Sequence, residues 1–341
     1  MSVPQPEAQF SAHDRELLAR AGAWDQCPDL RDFSSEKLVQ IAQSYGLDFA
    51  TAILYDRVLR HDHHGAFFQR VRSPASAAKP PALVGIVRGA FYHEHKNTGA
   101  DGARVIEIVS SLNCAVECVP LESFGSLTRN ATLIAEWLRK HQRETVMLIS
   151  LSKGSADLKV ALGLPGAAEL FCNVGAWISL SGLVQGTPLV AWLRRKQLRQ
   201  IGVRCLLWLR GHRYSVVEEL RHESDGPLVN WPAVPSHLRI IHVVAFPLCR
   251  HLAHPWAKRA YERIAPLGPN DGGGVLLDTV AKIPGTVFPV WGADHYLQPA
   301  WDATPLLRRV VLEAMSPNAA LRQANPSAAQ PIRPPANRST A

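Results

Sequence analysis

The sequence predicts an α/β protein: a mostly parallel central sheet with helices on both faces, plus an N-terminal helical region and a helical insertion late in the sheet. Three observations predict it. Continuous apolar runs, rich in β-branched residues, occur at 82–87, 145–150, 174–180, 238–247 and 286–291, as strands buried on both faces require. Segments with helical spacing of apolar residues separate them, as parallel crossovers require. At 341 residues, 47% hydrophobic and 19% charged, the chain can bury one large core.

Taken in order, residues 1–80 read as helices and a linker. Ser11 can cap a helix beginning Ala-His-Asp-Arg-Glu. Leu38, Ile41 and Ala42 share a face after Ser34, and Ala52, Leu54, Tyr55 and Val58 extend the pattern through 48–59. Ser73-Pro-Ala-Ser-Ala-Ala-Lys-Pro-Pro has linker composition. The α/β unit spans 81–316. Its first strand ends at Arg88-Gly89-Ala90, followed by a helix at 102–112 and a strand at 115–120. Leu133, Ile134, Trp137 and Leu138 line one face of a helix at 130–141. The strand at 145–150 runs directly into a helix at 153–162. After the strand at 174–180, residues 187–235 are rich in Trp, Leu and Arg and break the alternation, with helices at 189–200 and 215–222. A helix through 257–264 and another at 304–315 flank the last strand. The Ala-, Pro-, Asn- and Gln-rich residues 317–341 are expected to be disordered. Right-handed crossovers place all strand C-termini along one edge, where chemistry gathers in such sheets.

Composition narrows the function. The longest apolar stretch, 238–248, is strand-sized and interrupted by His242, so no membrane span is expected. Met1 to Glu7 has neither a basic start nor an apolar stretch, and a cytoplasmic location is the expectation. Net charge is +8, densest around Arg194-Arg195-Lys196, Arg199, Arg204, Arg210 and Arg213, but without a nucleic-acid-binding motif; a solvated helical face is expected. Cys27, Cys114, Cys118, Cys172, Cys205 and Cys249 include no C-x-x-C pair and read as reduced core residues. No metal or cofactor is expected.

The sharpest motif is Ile149-Ser-Leu-Ser152-Lys-Gly154, a strand running into Ser152 with a helix directly behind it. This is the pattern of a nucleophile elbow, where small residues two before and two after the serine permit close backbone approach. The backbone N–H of Lys153, at the helix start, is placed to meet a developing oxyanion. A serine needs a base. Of fourteen histidines, His61, His63 and His64 read as a solvated loop, His93 and His95 as possible pocket borders, and His251 and His254 as loop residues. His295 differs: it follows the last strand in Gly292-Ala-Asp-His, before the closing helix. The acid should follow the strand at 238–247. Glu262 belongs to an exposed helix face and Asp294 is too near His295, which leaves Asp271, in Gly268-Pro-Asn-Asp-Gly-Gly-Gly, with Asp278 as the alternative. Gly89 lets the chain turn so that Ala90, or Phe91, can supply a second oxyanion N–H.

Through Arg88-Gly-Ala, Ser150-Leu-Ser-Lys-Gly, Asn270-Asp-Gly and Gly292-Ala-Asp-His, residues 82–315 resemble the α/β-hydrolase family, in particular its lipase-like and esterase-like members. Ser181-Gly-Leu-Val-Gln-Gly-Thr-Pro-Leu looks like the stretch after the nucleophile-following strand in bacterial lipase-type relatives. The resemblance implies Ser152 as nucleophile, Asp271 as acid and His295 as base, with Ala90 and Lys153 lending oxyanion N–H groups. It places the family's cap at 187–235. Ser150 departs from the glycine usual in the elbow, and Arg88 from the histidine usual before the oxyanion glycine. The implied activity is cleavage of a small-molecule carboxylic ester or thioester through an acyl-enzyme. An acyltransferase, or a non-catalytic binding protein on the same fold, are the alternatives.

Overall fold

The computed structural model describes residues 10–73, 83–94, 99–297 and 304–316. Four helices come first: α1 (Ala12–Ala23), α2 (Ser35–Tyr45), α3 (Leu47–Arg60) and α4 (Asp62–Arg72). Ser11 starts α1 with a reciprocal capping box to Asp14. Arg57, buried on α3, donates to the Ala21 and Cys27 carbonyls (3.3 and 2.6 Å), tying α3 to the end of α1 and the loop that follows it.

Strands and helices then alternate: β1 (Leu83–Val87), α5 (Ala103–Ser110), β2 (Ala115–Cys118), α6 (Leu127–Lys140), β3 (Val146–Leu151), α7 (Lys153–Leu162), α8 (Ala167–Leu170) and β4 (Val174–Leu180). Three helices follow, α9 (Leu189–Arg194), α10 (Gln197–Leu209) and α11 (Ser215–Glu219). The chain closes with β5 (Arg239–Phe246), α12 (Pro255–Ile264), α13 (Leu276–Ala281), β6 (Thr286–Trp291) and α14 (Thr304–Ala314). The strands form one parallel sheet in the order β2-β1-β3-β4-β5-β6. The chain steps one way from β1 to β2 and the other way from β3 onward. That reversal opens a crevice beyond the C-terminal ends of β1 and β3.

Because side chains alternate across a strand, each strand feeds two cores. Val84, Ile86, Met147, Ile149, Ile178, Val243 and Phe288 pack under α4, α5 and α14. Leu83, Val87, Leu148 and Trp177 face the other way, into residues of α6 and α7. On that second face the β5–β6 end is covered by the N-terminal helices, whose Phe49, Ile53, Leu54 and Val58 join Val244, Phe246, Val287 and Trp291 in one cluster.

Several local expectations are corrected. Helix α6 starts before residue 130 because Ser126 caps it, accepting from the Arg129 N–H at 3.2 Å. The helix expected at 189–200 is two, broken where Lys196 is extended, and Arg199 donates to the Trp192 carbonyl of α9 (2.6 Å). Helix α11 ends at Glu219 because the chain there pairs Thr187 with Arg221. His61–His64 form no loop: His63 and His64 lie in the first turn of α4, His63 exposed and His64 buried, and both bond to β6, at Thr286 Oγ1 (2.6 Å) and the Val287 N–H (3.3 Å). Cys172 and Cys205 are exposed rather than core. The expectations on the 74–81 linker, His95 and the 317–341 tail fall outside the described residues. Among the described residues no helix is long and apolar enough to cross a membrane, and no three His, Cys, Asp or Glu side chains group as metal ligands.

Candidate active site

Ser152 sits between β3 and α7 with φ 47° and ψ −118°, a conformation that costs a non-glycine residue roughly 1–3 kcal/mol. Backbone bonds hold it there. Its N–H donates to the Leu180 carbonyl (3.1 Å), and its own carbonyl accepts from Ser155 and Leu183 (3.1 and 3.0 Å). Gly154 is obligatory, since a Cβ there would meet the Arg88 carbonyl and come within 2.5 Å of the Val87 carbonyl at the end of β1. Ser150 takes the place usual for glycine without strain on its hydroxyl. That oxygen, fully buried, lies 2.7 Å from Ser155 Oγ and accepts from Trp177 Nε1 at 2.7 Å.

The loop after β6 brings His295 to this turn, with Nε2 2.9 Å from Ser152 Oγ. Its other nitrogen, Nδ1, lies 2.8 Å from Asp271 Oδ2. The second oxygen of Asp271 accepts the Gly273 and Gly274 N–H groups at 2.8 Å each, and the His295 N–H donates to the Asp271 carbonyl (3.1 Å). With a proton on Nδ1 facing the carboxylate, the Nε2 lone pair faces the serine hydroxyl. Burial would push the His295 imidazole down. The charge and hydrogen bond of Asp271, helped by the charge of Asp294, carry it above its ordinary value. Asp278 is not an alternative partner: it pairs with His222 (2.9 Å) and Lys282. Glu262 is exposed on α12, and Asp294 accepts from the Tyr296 N–H at 2.9 Å.

A parallel sheet that reverses direction at β1 and β3, helices on both of its faces, and a strained serine on the turn from β3 into α7 together decide the fold. The chain has an α/β-hydrolase fold.

In this hydrolase fold the loop after β1 lies against Ser152, a Cβ on Gly89 falling 3.5 Å from Ser152 Cβ. The Phe91 N–H donates to the Ser123 carbonyl (2.9 Å). The Lys153 side chain, which the sequence reading passed over, is almost wholly buried. It donates to Asp157 Oδ1 (2.6 Å), whose other oxygen accepts from Asn130 (3.0 Å); Asn130 in turn accepts the Glu122 N–H (3.1 Å). Burial raises the Asp157 carboxyl above its ordinary value against the pull of Lys153. The i, i+4 spacing of Lys153 and Asp157 was the available signal. This polar chain ties the residue after Ser152 to the loop that holds Phe91. Gly273 is the other residue missed: a Cβ there would stand 2.7 Å from His295 Nε2 and closer still to Cε1 and Nδ1.

Ser152 and His295 open on a cavity of about 370 Å³ walled mainly by Ala100, Val105, Leu151, Leu180, Leu297 and Leu307. Neither a protein-family model nor a curated protein sequence matches the chain. Among solved structures, the hydrolase fold is similar to a metagenomic carboxyl esterase at 19% identity, over 95% of this chain and 93% of that one, with a TM-score of 0.47. It is also similar to a mature Bacillus licheniformis lipase, at 17% identity over 66% and 89% with a TM-score of 0.46. A Xanthomonas campestris α/β serine hydrolase without a lid matches at 13% identity over 75% and 88%, TM-score 0.32.

Proposed function

We propose that this protein hydrolyses a carboxylic ester, or a thioester, through an acyl-enzyme on Ser152. The observation that carries the reading is the unbroken line from Asp271 Oδ2 through both nitrogens of His295 to Ser152 Oγ, at 2.8 and 2.9 Å, opening on an apolar cavity. His295 takes the hydroxyl proton as Oγ attacks the acyl carbon, and Asp271 holds the tautomer and stabilises the imidazolium. The N–H groups of Ala90 and Lys153 meet the oxyanion, each worth about 3–4 kcal/mol in the transition state. His295 then protonates the departing alcohol or thiol. Water, deprotonated by the same imidazole, releases the carboxylic acid and restores Ser152. The apolar walls suit an acyl chain. A spacing of 2.9 Å between Oγ and Nε2 favours this over a purely binding role.

Residues 187–235 act as the cap in this reading. Leu207 and Val216 pack with Phe124, Phe91 and Ala90, which sets α10 and α11 over the loop that carries one oxyanion donor.

A fluorophosphonate probe should label the wild type at Ser152, and a p-nitrophenyl ester series should be turned over with a dependence on acyl length. Ser152→Ala should abolish labelling and lower turnover by about 10⁴-fold or more. Labelling of a different residue, or turnover that survives the substitution, would overturn the proposal.

A further inference from the structure

We propose that α10 docks this protein onto an anionic lipid surface. The inner side of the helix is anchored, with Val203 and Leu207 packed against Phe124 and Val216. Its outer side carries Leu198, Ile201, Trp208 and Leu209, exposed by 86, 54, 76 and 73%, with Leu206 beside them. At 3.6 residues per turn these side chains fall on one side of the helix, with Gly202 and Cys205 between Ile201 and Trp208. Other large apolar side chains exposed among the described residues, Tyr45, Val229, Trp256 and Leu267, are spread over separate elements. Single exposed apolar residues are ordinary, whereas a stripe marks a docking surface.

Charge identifies the occupant. Residues 187–217 contain Arg194, Arg195, Lys196, Arg199, Arg204, Arg210 and Arg213 and no acidic residue. Arg194 is paired with Glu218 and Glu223 (3.8 and 2.9 Å). Arg199 lies over the Trp192 ring and Arg204 over Tyr214, at 3.4 and 4.6 Å. A second copy meeting this face symmetrically would bring cation against cation. Nucleic acid would satisfy the arginines and leave the aliphatic stripe in water. A bilayer with acidic headgroups takes both, with Leu and Ile at the acyl boundary, Trp208 at the interface and the arginines among the phosphates.

The test uses full-length protein carrying Ser152→Ala, so that no lipid is hydrolysed and binding is read independently of the esterase proposal. Vesicles of phosphatidylcholine alone and with about a third phosphatidylglycerol are sedimented with the protein at roughly 0.1 M and 0.5 M salt. Binding to the anionic vesicles should be about tenfold or more the stronger, and should weaken at the higher salt. Leu198→Ser with Trp208→Ser and Leu209→Ser, and separately Arg210→Glu with Arg213→Glu, should each lower it about tenfold at unchanged circular dichroism. Equal binding to both vesicle types, or none by folded protein, would reject the proposal. So would a dimer that the apolar substitutions dissociate while vesicle binding stays absent.

Discussion

His295 is oriented by neighbours on two sides, and each makes a prediction. Gly273 leaves the imidazole its place, so Gly273→Ala should displace the ring and lower kcat/KM by about 10²-fold, with circular dichroism unchanged. Asp271 fixes the tautomer, and Asp271→Asn should reduce kcat on the order of 10⁴-fold. The pH profile separates the two roles. In the proposed mechanism His295 serves as base only when neutral, and it sits above its ordinary value, so kcat/KM should rise with pH through a midpoint above about 6.5. In Asp271→Asn burial dominates, and that midpoint should move down; a midpoint that stays put would disprove the electrostatic part. Lys153 and Asp157 show the cost of burying charge. Removing one partner by Asp157→Ala should destabilise the fold by about 3–5 kcal/mol in urea unfolding, while Lys153→Met with Asp157→Leu should recover most of the loss.

What decides an element decides how far it could be read. Strands β3, β4, β5 and β6 are buried along nearly all of their length and mostly apolar, and that signal is written wholly within each segment. Ser152 was visible for the same reason, since strand, serine and helix are contiguous. Asp271 and His295 are singled out by order along the chain, and the structure brings them within hydrogen-bond reach of one another. The misreadings fall where a distant partner decides. His-Asp-His-His looks solvated in isolation, but α4 lays His63 and His64 on β6. Gly273 matters only because a residue 22 positions on stacks against it. Gly154 is the element-scale test. Its Cβ would strike the end of β1, so Gly154→Ala should destabilise the protein by about 1–3 kcal/mol as the elbow is forced off β1, read as a lower urea midpoint.

At the scale of the molecule, the N-terminal helices and the sheet share one core. Deleting residues 1–80 would uncover Val244, Phe246, Val287 and Trp291, and the remaining chain should lose cooperative thermal unfolding. Acid should loosen the whole. Burial holds His64 at about 3 and His242 at about 4, so both stay neutral in the fold while the unfolded chain protonates near 6.5. Their contribution is complete above that pH and is lost progressively as pH falls toward 4, which urea midpoints at successive pH values would register. The left-handed turn at Ser152 has a consequence for evolution as well. Glycine adopts that backbone freely, so Ser152→Gly should melt higher than Ser152→Ala, and a lineage released from selection for turnover would find a sturdier protein one substitution away.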